Sequence, residues 1–184
     1  VDIGCFHPTR HNNTFAMYKQ GWCGINIDLN PLTVELFNFF RTKDININAA
    51  ISDKEEIKTL YFINELNTQN TLEANHLSFL EKHHNIKQEE IIKQEIKTKR
   101  LDKILDNHNF NEIDFMNIDV EGHELNVLKT IDFLKYDIKF ICIEMIDHND
   151  QSNLINEKLS IILNKNNYIL EKQFGFNHIF KKKN

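Results

Sequence analysis

The stretch Ile113–Leu128, which reads IDFMNIDVEGHELNVL, decides the fold. It begins as an apolar run and then gathers four ionisable side chains around Gly122, namely Asp119, Glu121, His123 and Glu124. From Leu125 onward the apolar residues follow helical spacing. A buried strand that ends in acids just before a helix is typical of the carboxyl edge of a parallel sheet, where open α/β sheets bind their ligands. We therefore expect the chemistry at this edge.

Strands and helices alternate before this stretch. Period-two apolar patterns predict strands over 1–4, 24–29 and 44–51. Helices are predicted between them, over 14–18 and from Pro31, which suits the first turn of a helix. The second of these helices is expected to bury four apolar side chains, which are Leu32, Leu36, Phe39 and Phe40. This order implies parallel strands joined by right-handed crossovers.

After residue 100 the same alternation resumes and then ends in a hairpin. Strands are predicted over 113–119 and 138–146, and helices are predicted from Leu101, with Leu101, Ile104 and Leu105 inward, over 124–134 and over 152–163. An antiparallel hairpin over 168–171 and 177–181 closes the chain around Gly175. The fold class is therefore α/β with a mostly parallel sheet and an antiparallel C-terminal hairpin.

Residues 53–99 are interpreted as an insertion into this core. Within it we expect strands over 57–63 and 91–97 and a short helix over 77–84. Insertions over a sheet edge are free to vary, so this one is expected to carry substrate specificity. The chain of 184 residues is predicted to form one domain, 1–184. Because Val1–Gly4 already has the pattern of a strand end, we expect that a preceding segment is missing.

Composition excludes several function classes. A net charge of −5 argues against non-specific nucleic-acid binding, which needs Lys and Arg to neutralise phosphates. No apolar run approaches the roughly 18 residues of a membrane span. Cys5, Cys23 and Cys142 lie in or beside predicted core strands without metal-ligand spacing, which indicates reduced, buried thiols. We therefore expect a cytoplasmic protein.

Four stretches together resemble the FkbM family of S-adenosylmethionine-dependent methyltransferases. They are VDIGCFHP (1–8), NNTFAMYKQGWCGINIDLNP (12–31), LDKIL (101–105) and IDFMNIDVEGHELNVLKTIDF (113–133). The resemblance implies a doubly wound, Rossmann-like sheet and S-adenosylmethionine as the cofactor. It also implies methyl transfer, usually to an oxygen, with a sugar, glycan or other small hydroxylated metabolite as the acceptor.

Given this resemblance, the first strand end is expected to hold the methionyl part of the donor. Gly4 would let the backbone approach the donor, although a tight turn without a ligand also explains a glycine there. Asp2 would orient the following loop or reach the donor ammonium through water. Thr14 would bind the donor carboxylate near a helix start, or else simply cap that helix.

The adenosine part is expected at the next two strand ends. Asp28 ends the second strand, where a carboxylate can accept both ribose hydroxyls; the alternative is an exposed acid in a turn. Leu29 would then line one face of the adenine. Small residues near the third strand end, Ala50, Ile51 and Ser52, would leave room for the ring.

The acids of the 119–124 segment are expected to face the acceptor. Asp119 is the candidate beside the transferred methyl group and the donor ammonium. Glu121 and His123 are candidates for the base, since histidine has an unperturbed pKa of about 6.5 that suits proton transfer at neutral pH. The alternative is that Glu121 and Glu124 only complement a helix dipole, which is our expectation for Glu124. A turn at Gly122 would redirect His123.

Other interpretations are open at this point. Asp119, Glu144 and Asp147 offer the oxygen ligands that Mg²⁺ prefers, so a metal-dependent O-methyltransferase is one alternative. A second is a module that binds donor or glycan without turnover. A third is an NAD-binding oxidoreductase, although the chain lacks a three-glycine loop. The loop with His7 and Arg10 is expected to overhang the cleft. Most of the other histidines, which include His76, His83, His84, His108 and His148, are expected at the surface.

Overall fold

A computed structural model describes residues 1–64, 67–146 and 150–183. The strands in these ranges are β1 Asp2–Ile3, β2 Ile25–Asp28, β3 Ile45–Asn48, β4 Ala50–Ile51, β5 Ile57–Phe62, β6 Ile92–Lys99, β7 Glu112–Ile118, β8 Asp137–Glu144, β9 Tyr168–Phe174 and β10 Asn177–Lys182. The α-helices are α1 Phe15–Lys19, α2 Pro31–Phe40, α3 Leu77–His84, α4 Leu101–Asn107, α5 Glu124–Leu128 and α6 Asp150–Lys165. Short 3₁₀ turns lie at Ala74–His76 and Gln88–Glu90.

The main sheet has seven strands in the order β3-β2-β1-β7-β8-β10-β9. The five strands from β3 to β8 are parallel, whereas β10 is antiparallel to both β8 and β9. The expected mixed α/β fold with a parallel centre and an antiparallel C-terminal hairpin is thus confirmed. Strands β1, β2 and β3 form one half of the sheet, and β7 pairs with the other edge of β1. The carboxyl ends of β1 and β7 are therefore neighbours, and a crevice forms at such a point.

The core lies between this sheet and its helices. Strands β7 and β8 contribute apolar side chains on both faces, as expected for central parallel strands covered on both sides. Leu101 and Leu105 of α4 are fully buried and Ile104 nearly so, which confirms the predicted inward face of that helix. Leu159 and Leu163 of α6 join the same core.

Helix α2 turns a different face to the sheet from the one predicted. Its buried side chains are Thr33, Val34 and Phe37, whereas Phe39 is 76% exposed. Leu32 and Phe40 are exposed as well, and Leu36 is only partly buried. The Asn30 side chain accepts a hydrogen bond from the backbone N–H of Leu32, which fixes the first turn and, with it, the rotation of the helix.

Two predicted elements are shorter than expected. The predicted strand over 44–51 breaks after β3, because Ala49 N–H donates to Asp28 O and β4 then pairs with β6 in another sheet. The predicted helix over 124–134 ends as α5 at Leu128, and Leu134 is 99% exposed. Thr130 ends it, since its hydroxyl donates to the Val127 carbonyl.

The insertion forms a small three-stranded sheet in the order β4-β6-β5. The predicted strand over 57–63 and helix over 77–84 are confirmed as β5 and α3, and the predicted strand over 91–97 is β6, Ile92–Lys99. Of the three cysteines, Cys5 and Cys142 are buried, whereas Cys23 is exposed, so its predicted burial is wrong. None of the helices that the structure describes is both long and apolar enough to span a membrane.

Candidate active site

A cleft with a cavity volume of about 170 Å³ opens at the carboxyl ends of β1, β2, β4 and β7. Its wall comes from the strand ends and from the insertion. The sheet side contributes Gly4, Asp28, Leu29, Ile51, Asp119, Glu121 and His123, with Phe6 and His11 from the first loop. The insertion side contributes Asn67, Thr68, Asn70 and Leu72. Seven of the nine predicted site residues therefore share one cleft.

Asp28 lies at the end of β2 with its carboxylate held in a defined orientation. One oxygen accepts from Phe6 N–H at 2.9 Å and the other from Asn30 N–H at 2.8 Å. Burial raises the pKa of Asp28 to about 6, although these two hydrogen bonds act in the opposite direction and lower the pKa. Each carboxylate oxygen has further acceptor capacity. The side chain can therefore accept the hydroxyls of a ligand in the cleft.

Gly4 packs directly against the end of β7. It has φ +75°, and a Cβ at this position would lie 1.7 Å from the backbone oxygen of Asp119. The close approach explains the glycine without any ligand, since both the left-handed conformation and the contact exclude a side chain. Gly4 also lines the cleft, so its backbone is available to a bound molecule.

Asp2 and Thr14 lie behind the cleft rather than in it. The Asp2 carboxylate accepts hydrogen bonds from Asn12, Thr14 and Asn117 at 2.7–3.0 Å. The Thr14 hydroxyl donates to Asp2 and accepts from Arg41, and it makes no capping bond to α1. In this structure Asp2 orients the loop that follows β1. Their predicted contacts with a donor stay predictions.

Arg41 is a buried residue that sequence analysis missed. The residue is only 1% exposed. Its guanidinium donates twice to the carbonyl oxygen of Pro8, at 3.0 and 2.8 Å, and also to the side chains of Thr14 and Asn12. Burial lowers its pKa, whereas Asp2 and Asp44 raise it. Arg41 thereby fixes the loop whose residues Phe6 and His11 overhang the cleft. No local pattern marks an arginine at the end of a helix as such a support.

Asp119 follows β7 with its carboxylate partly buried and without a hydrogen-bond partner among the described residues. Burial, with a smaller effect of Asp2, raises its pKa to about 6. A positively charged ligand group would relieve this unfavourable burial. Asp119 is thus the acid in the cleft best placed to meet a cation.

Glu121 lies in a tight turn after β7 and is clamped by the insertion. Its φ is +54°, which is uncommon for a residue with a side chain. Gln69 donates to one carboxylate oxygen at 2.8 Å, and His76 Nε2 lies 3.5 Å from the other. Thr71 donates to the Glu121 carbonyl at 2.7 Å. Burial, followed by Glu144 and Asp119, raises the pKa of Glu121 well above its ordinary value.

His123 lines the cleft, but both of its ring nitrogens have partners. Nδ1 lies 2.5 Å from Glu73 Oε1, and Nε2 lies 3.0 Å from Ser52 Oγ. The ring is 1% exposed. This arrangement ties the end of β4 to the insertion. Asp119, Glu121 and His123 therefore all line one cleft despite the turn at 121–122. Of these three side chains, only the Asp119 carboxylate has no hydrogen-bond or ion-pair partner among the described residues.

Glu124 and Glu144 complete an acidic region behind the turn. Glu124 accepts from the backbone N–H groups of Val120 and Gly122 at 3.0 and 3.1 Å, so it stabilises the turn before α5. Burial raises the pKa of Glu124 to about 7. Glu144 lies at the end of β8, where burial together with Asp119 and Glu124 raises its pKa to about 9.

Three carboxylates in this region lie close enough to share a cation. Oxygen atoms of Asp119, Glu121 and Glu144 all lie within 4.8 Å of one another. This set differs from the predicted ligands, because Glu121 takes part and the predicted Asp147 lies outside the described residues. Oxygen donors of this kind suit Mg²⁺.

His76 shows where sequence reasoning failed for the insertion. It was expected at the surface, but it is only 9% exposed and faces Glu121. Besides Ser52 and Asn126, which contact His123, the partners of the catalytic candidates are Gln69, Thr71, Glu73 and His76 of the insertion. They lie about fifty residues from the 121–123 turn in the chain, as the Gln69–Glu121 separation of 52 shows, so no sequence spacing could reveal them.

A second cavity of about 90 Å³ lies on the other side of the acids. It is bounded by the insertion and α6 and is lined by Glu73, Asn75, His76, Phe79, Gly122, Glu124, Glu144, Ile146, Ser152, Ile155 and Asn156.

The chain matches the model of a known protein family. The family model described as Methyltransferase FkbM domain matches residues 2–174, which is nearly the whole chain. No curated protein and no solved structure matched the chain.

Proposed function

Because the chain belongs to the FkbM methyltransferase family, we propose that it binds S-adenosylmethionine in the cleft at the carboxyl ends of β1, β2 and β7. We further propose a doubly wound, Rossmann-like architecture and transfer of the methyl group to a hydroxyl of a sugar, glycan or related small metabolite. The observation that carries the proposal is a single cavity with Asp28 on one wall and the unengaged Asp119 on another.

Each part of the donor has a matching group on the cleft wall. Asp28 accepts the ribose hydroxyls, and Leu29 and Ile51 pack against the adenine. The backbone at Gly4 approaches the methionyl part, and the Asp119 carboxylate faces the ammonium and the sulfonium. A cation beside Asp119 offsets the cost of burying that carboxylate. Asp2 acts through the loop that it orients.

The reaction is an in-line displacement. A lone pair of the acceptor oxygen forms the new C–O bond, the C–S bond breaks, and its electron pair stays on sulfur, which leaves as a neutral thioether. The hydroxyl proton passes to a carboxylate or imidazole of the 121–123 turn. Glu121 is the favoured base, because a carboxylate keeps acceptor sites beside those that meet Gln69 and His76, whereas both nitrogens of His123 are occupied by Glu73 and Ser52. General base assistance is typically worth ~10²–10⁴-fold in rate.

Isothermal titration with S-adenosylmethionine, S-adenosylhomocysteine and NAD tests donor binding. Asp28→Asn should weaken binding of both S-adenosyl compounds by about 10- to 100-fold, as expected when hydrogen bonds to a charged group are lost. Glu35→Gln, an exposed acid on α2, is the matched control. Binding of NAD without either S-adenosyl compound would overturn the proposal.

Glu121→Gln should leave donor affinity unchanged and lower turnover in a methylation assay on a glycan array. Full activity of this variant would exclude Glu121 as the base. Intact donor binding without turnover on any hydroxylated acceptor would instead favour a binding module.

A divalent-metal-dependent reaction is the second candidate, and the three clustered carboxylates favour it. Asp119, Glu121 and Glu144 would hold the ion, which would act as a Lewis acid toward the acceptor oxygen. If EDTA abolishes activity and Mg²⁺ restores it, the metal-dependent reaction is established. Unchanged activity in EDTA would exclude it.

A further inference from the structure

The two cavities lie on either side of a cluster of carboxylates that includes Glu144. Glu144 lines the second cavity. Its oxygen also lies within 4.8 Å of carboxylate oxygens of Asp119 and Glu121, which line the first cavity. A molecule in the second cavity therefore lies beside the same cluster of acids as a donor in the first cavity. Methyl transfer requires an acceptor site next to the donor site, because the reacting atoms must come within about 3–3.5 Å.

Like Asp119, Glu144 has an unmet hydrogen-bonding requirement. Its Oε2 is a buried side-chain atom without a hydrogen-bond partner in the described structure. By contrast, Glu124 accepts two backbone N–H groups, and Glu73 is paired with His123. A buried polar atom without a partner costs free energy, so native proteins keep few of them. A rotation of the Glu144 carboxyl toward the second cavity would let a ligand hydroxyl supply the missing partner.

We infer that the cavity between the insertion and α6 is the acceptor pocket and that Glu144 hydrogen-bonds the acceptor hydroxyl there. The inference rests on the proposed function, because it assumes a methyl donor in the first cavity. It gives Glu144 a direct contact with the substrate, and it separates acceptor recognition from the donor site at Asp28.

The lining indicates the chemical class of the acceptor. The described residues of the wall include three acids, Glu73, Glu124 and Glu144, and no Lys or Arg, so the wall disfavours an anionic group such as a phosphate or a carboxylate. Phe79, Ile146 and Ile155 form the apolar part, and Asn75 and Asn156 add amides. An uncharged polyol with an apolar face fits this wall, since C–H groups pack on an aromatic ring while hydroxyls meet the amides and Glu144. A neutral sugar has this character.

The test uses Glu144→Leu, which removes the carboxyl and keeps a side chain of similar size. Because the orphan oxygen loses no protein partner, the variant should unfold at the same temperature as the natural chain or at a higher one. Affinity for S-adenosylhomocysteine, measured by titration, should not change. With that compound bound, saturation-transfer NMR with methyl glycosides of glucose, galactose, mannose, rhamnose and fucose should show binding to the natural chain. Glu144→Leu should weaken this binding at least about tenfold.

Phe79→Ala should weaken glycoside binding as well, and the exposed Glu157→Gln on α6 is the matched control. Equal glycoside affinity of Glu144→Leu and the natural chain would overturn the inference. Absence of glycoside binding while S-adenosylhomocysteine binds would overturn the acceptor class, whereas failure of S-adenosylhomocysteine to bind would count against the proposed function itself. Glycoside binding that requires Mg²⁺ would overturn direct contact with Glu144.

Discussion

Replacing Glu124 by Gln should remove a pH dependence from the stability of this protein. Glu124 is 4% exposed, and burial raises its pKa from an ordinary 4.5 to about 7. Between these two values the native state binds more protons than the unfolded state, so stability falls as pH rises. The contribution is fully present below pH 4.5 and is lost as pH rises through 7. At 1.36 kcal/mol for each pH unit, the loss is about 3 kcal/mol.

Glu124→Gln keeps the two hydrogen bonds and loses the charge. The amide oxygen can accept from the same N–H groups of Val120 and Gly122, so the turn is preserved. Relative to the natural chain, the variant should therefore gain about 3 kcal/mol of unfolding free energy between pH 4.5 and pH 8. Urea unfolding followed by far-ultraviolet circular dichroism across this range measures the difference.

The exposed Glu35→Gln controls for loss of a negative charge as such and should show the pH slope of the natural chain. Parallel pH profiles for Glu124→Gln and the natural chain would refute the reasoning. Such a result would mean that the two backbone N–H groups stabilise the carboxylate enough to cancel the cost of its burial.

Three further changes test the supports of the site. Gly4→Ala should lower the unfolding free energy by several kcal/mol, because its Cβ would meet the Asp119 carbonyl oxygen at 1.7 Å. Gly175→Ala, also at positive φ but with nothing within 4 Å, should cost only about 1–2 kcal/mol. Thermal unfolding of the two variants compares these costs. Arg41→Lys should cost about 2–3 kcal/mol in urea unfolding, since an ammonium cannot reproduce the guanidinium hydrogen bonds. Thr71→Val should cost about 1–2 kcal/mol and speed hydrogen exchange over 67–76, because the bond to the Glu121 carbonyl is lost; unchanged exchange there would contradict the clamp.

The sheet edge could be predicted from the sequence because local patterns determine it. Period-two and apolar patterns predict the strands, and an acid at the end of such a strand lies at the sheet edge, which places Asp28 and Asp119. The rotation of α2 could not be predicted in the same way. Its sequence carries apolar residues on more than one face, so packing against the sheet decides that Phe37 is buried and Phe39 is exposed.

The side of the site formed by the insertion could not be predicted, because its contacts are long-range. Gln69 and Glu121 are 52 positions apart, and Glu73 and His123 are 50 apart. The alternation of Asp119, Glu121 and His123 suggested three side chains on one cleft, and all three line it. The sequence carried no information on the hydrogen-bond partners of these three side chains, and those partners decide which side chain keeps an acceptor site for a proton.

The turn at Glu121 and the insertion depend on each other. A left-handed conformation costs a residue with a Cβ roughly 1–2 kcal/mol, so the turn needs support from its surroundings. The insertion supplies it through Thr71 on the carbonyl and through Gln69 and His76 on the carboxylate. Each such bond contributes about 1 kcal/mol, which is enough together to offset the strain. The insertion also lines both cavities, since Asn70 lines the first and His76 lines the second. If the second cavity is the acceptor pocket that we infer, a substitution within the insertion that alters it should also move Glu121, and acceptor choice and turnover should change together.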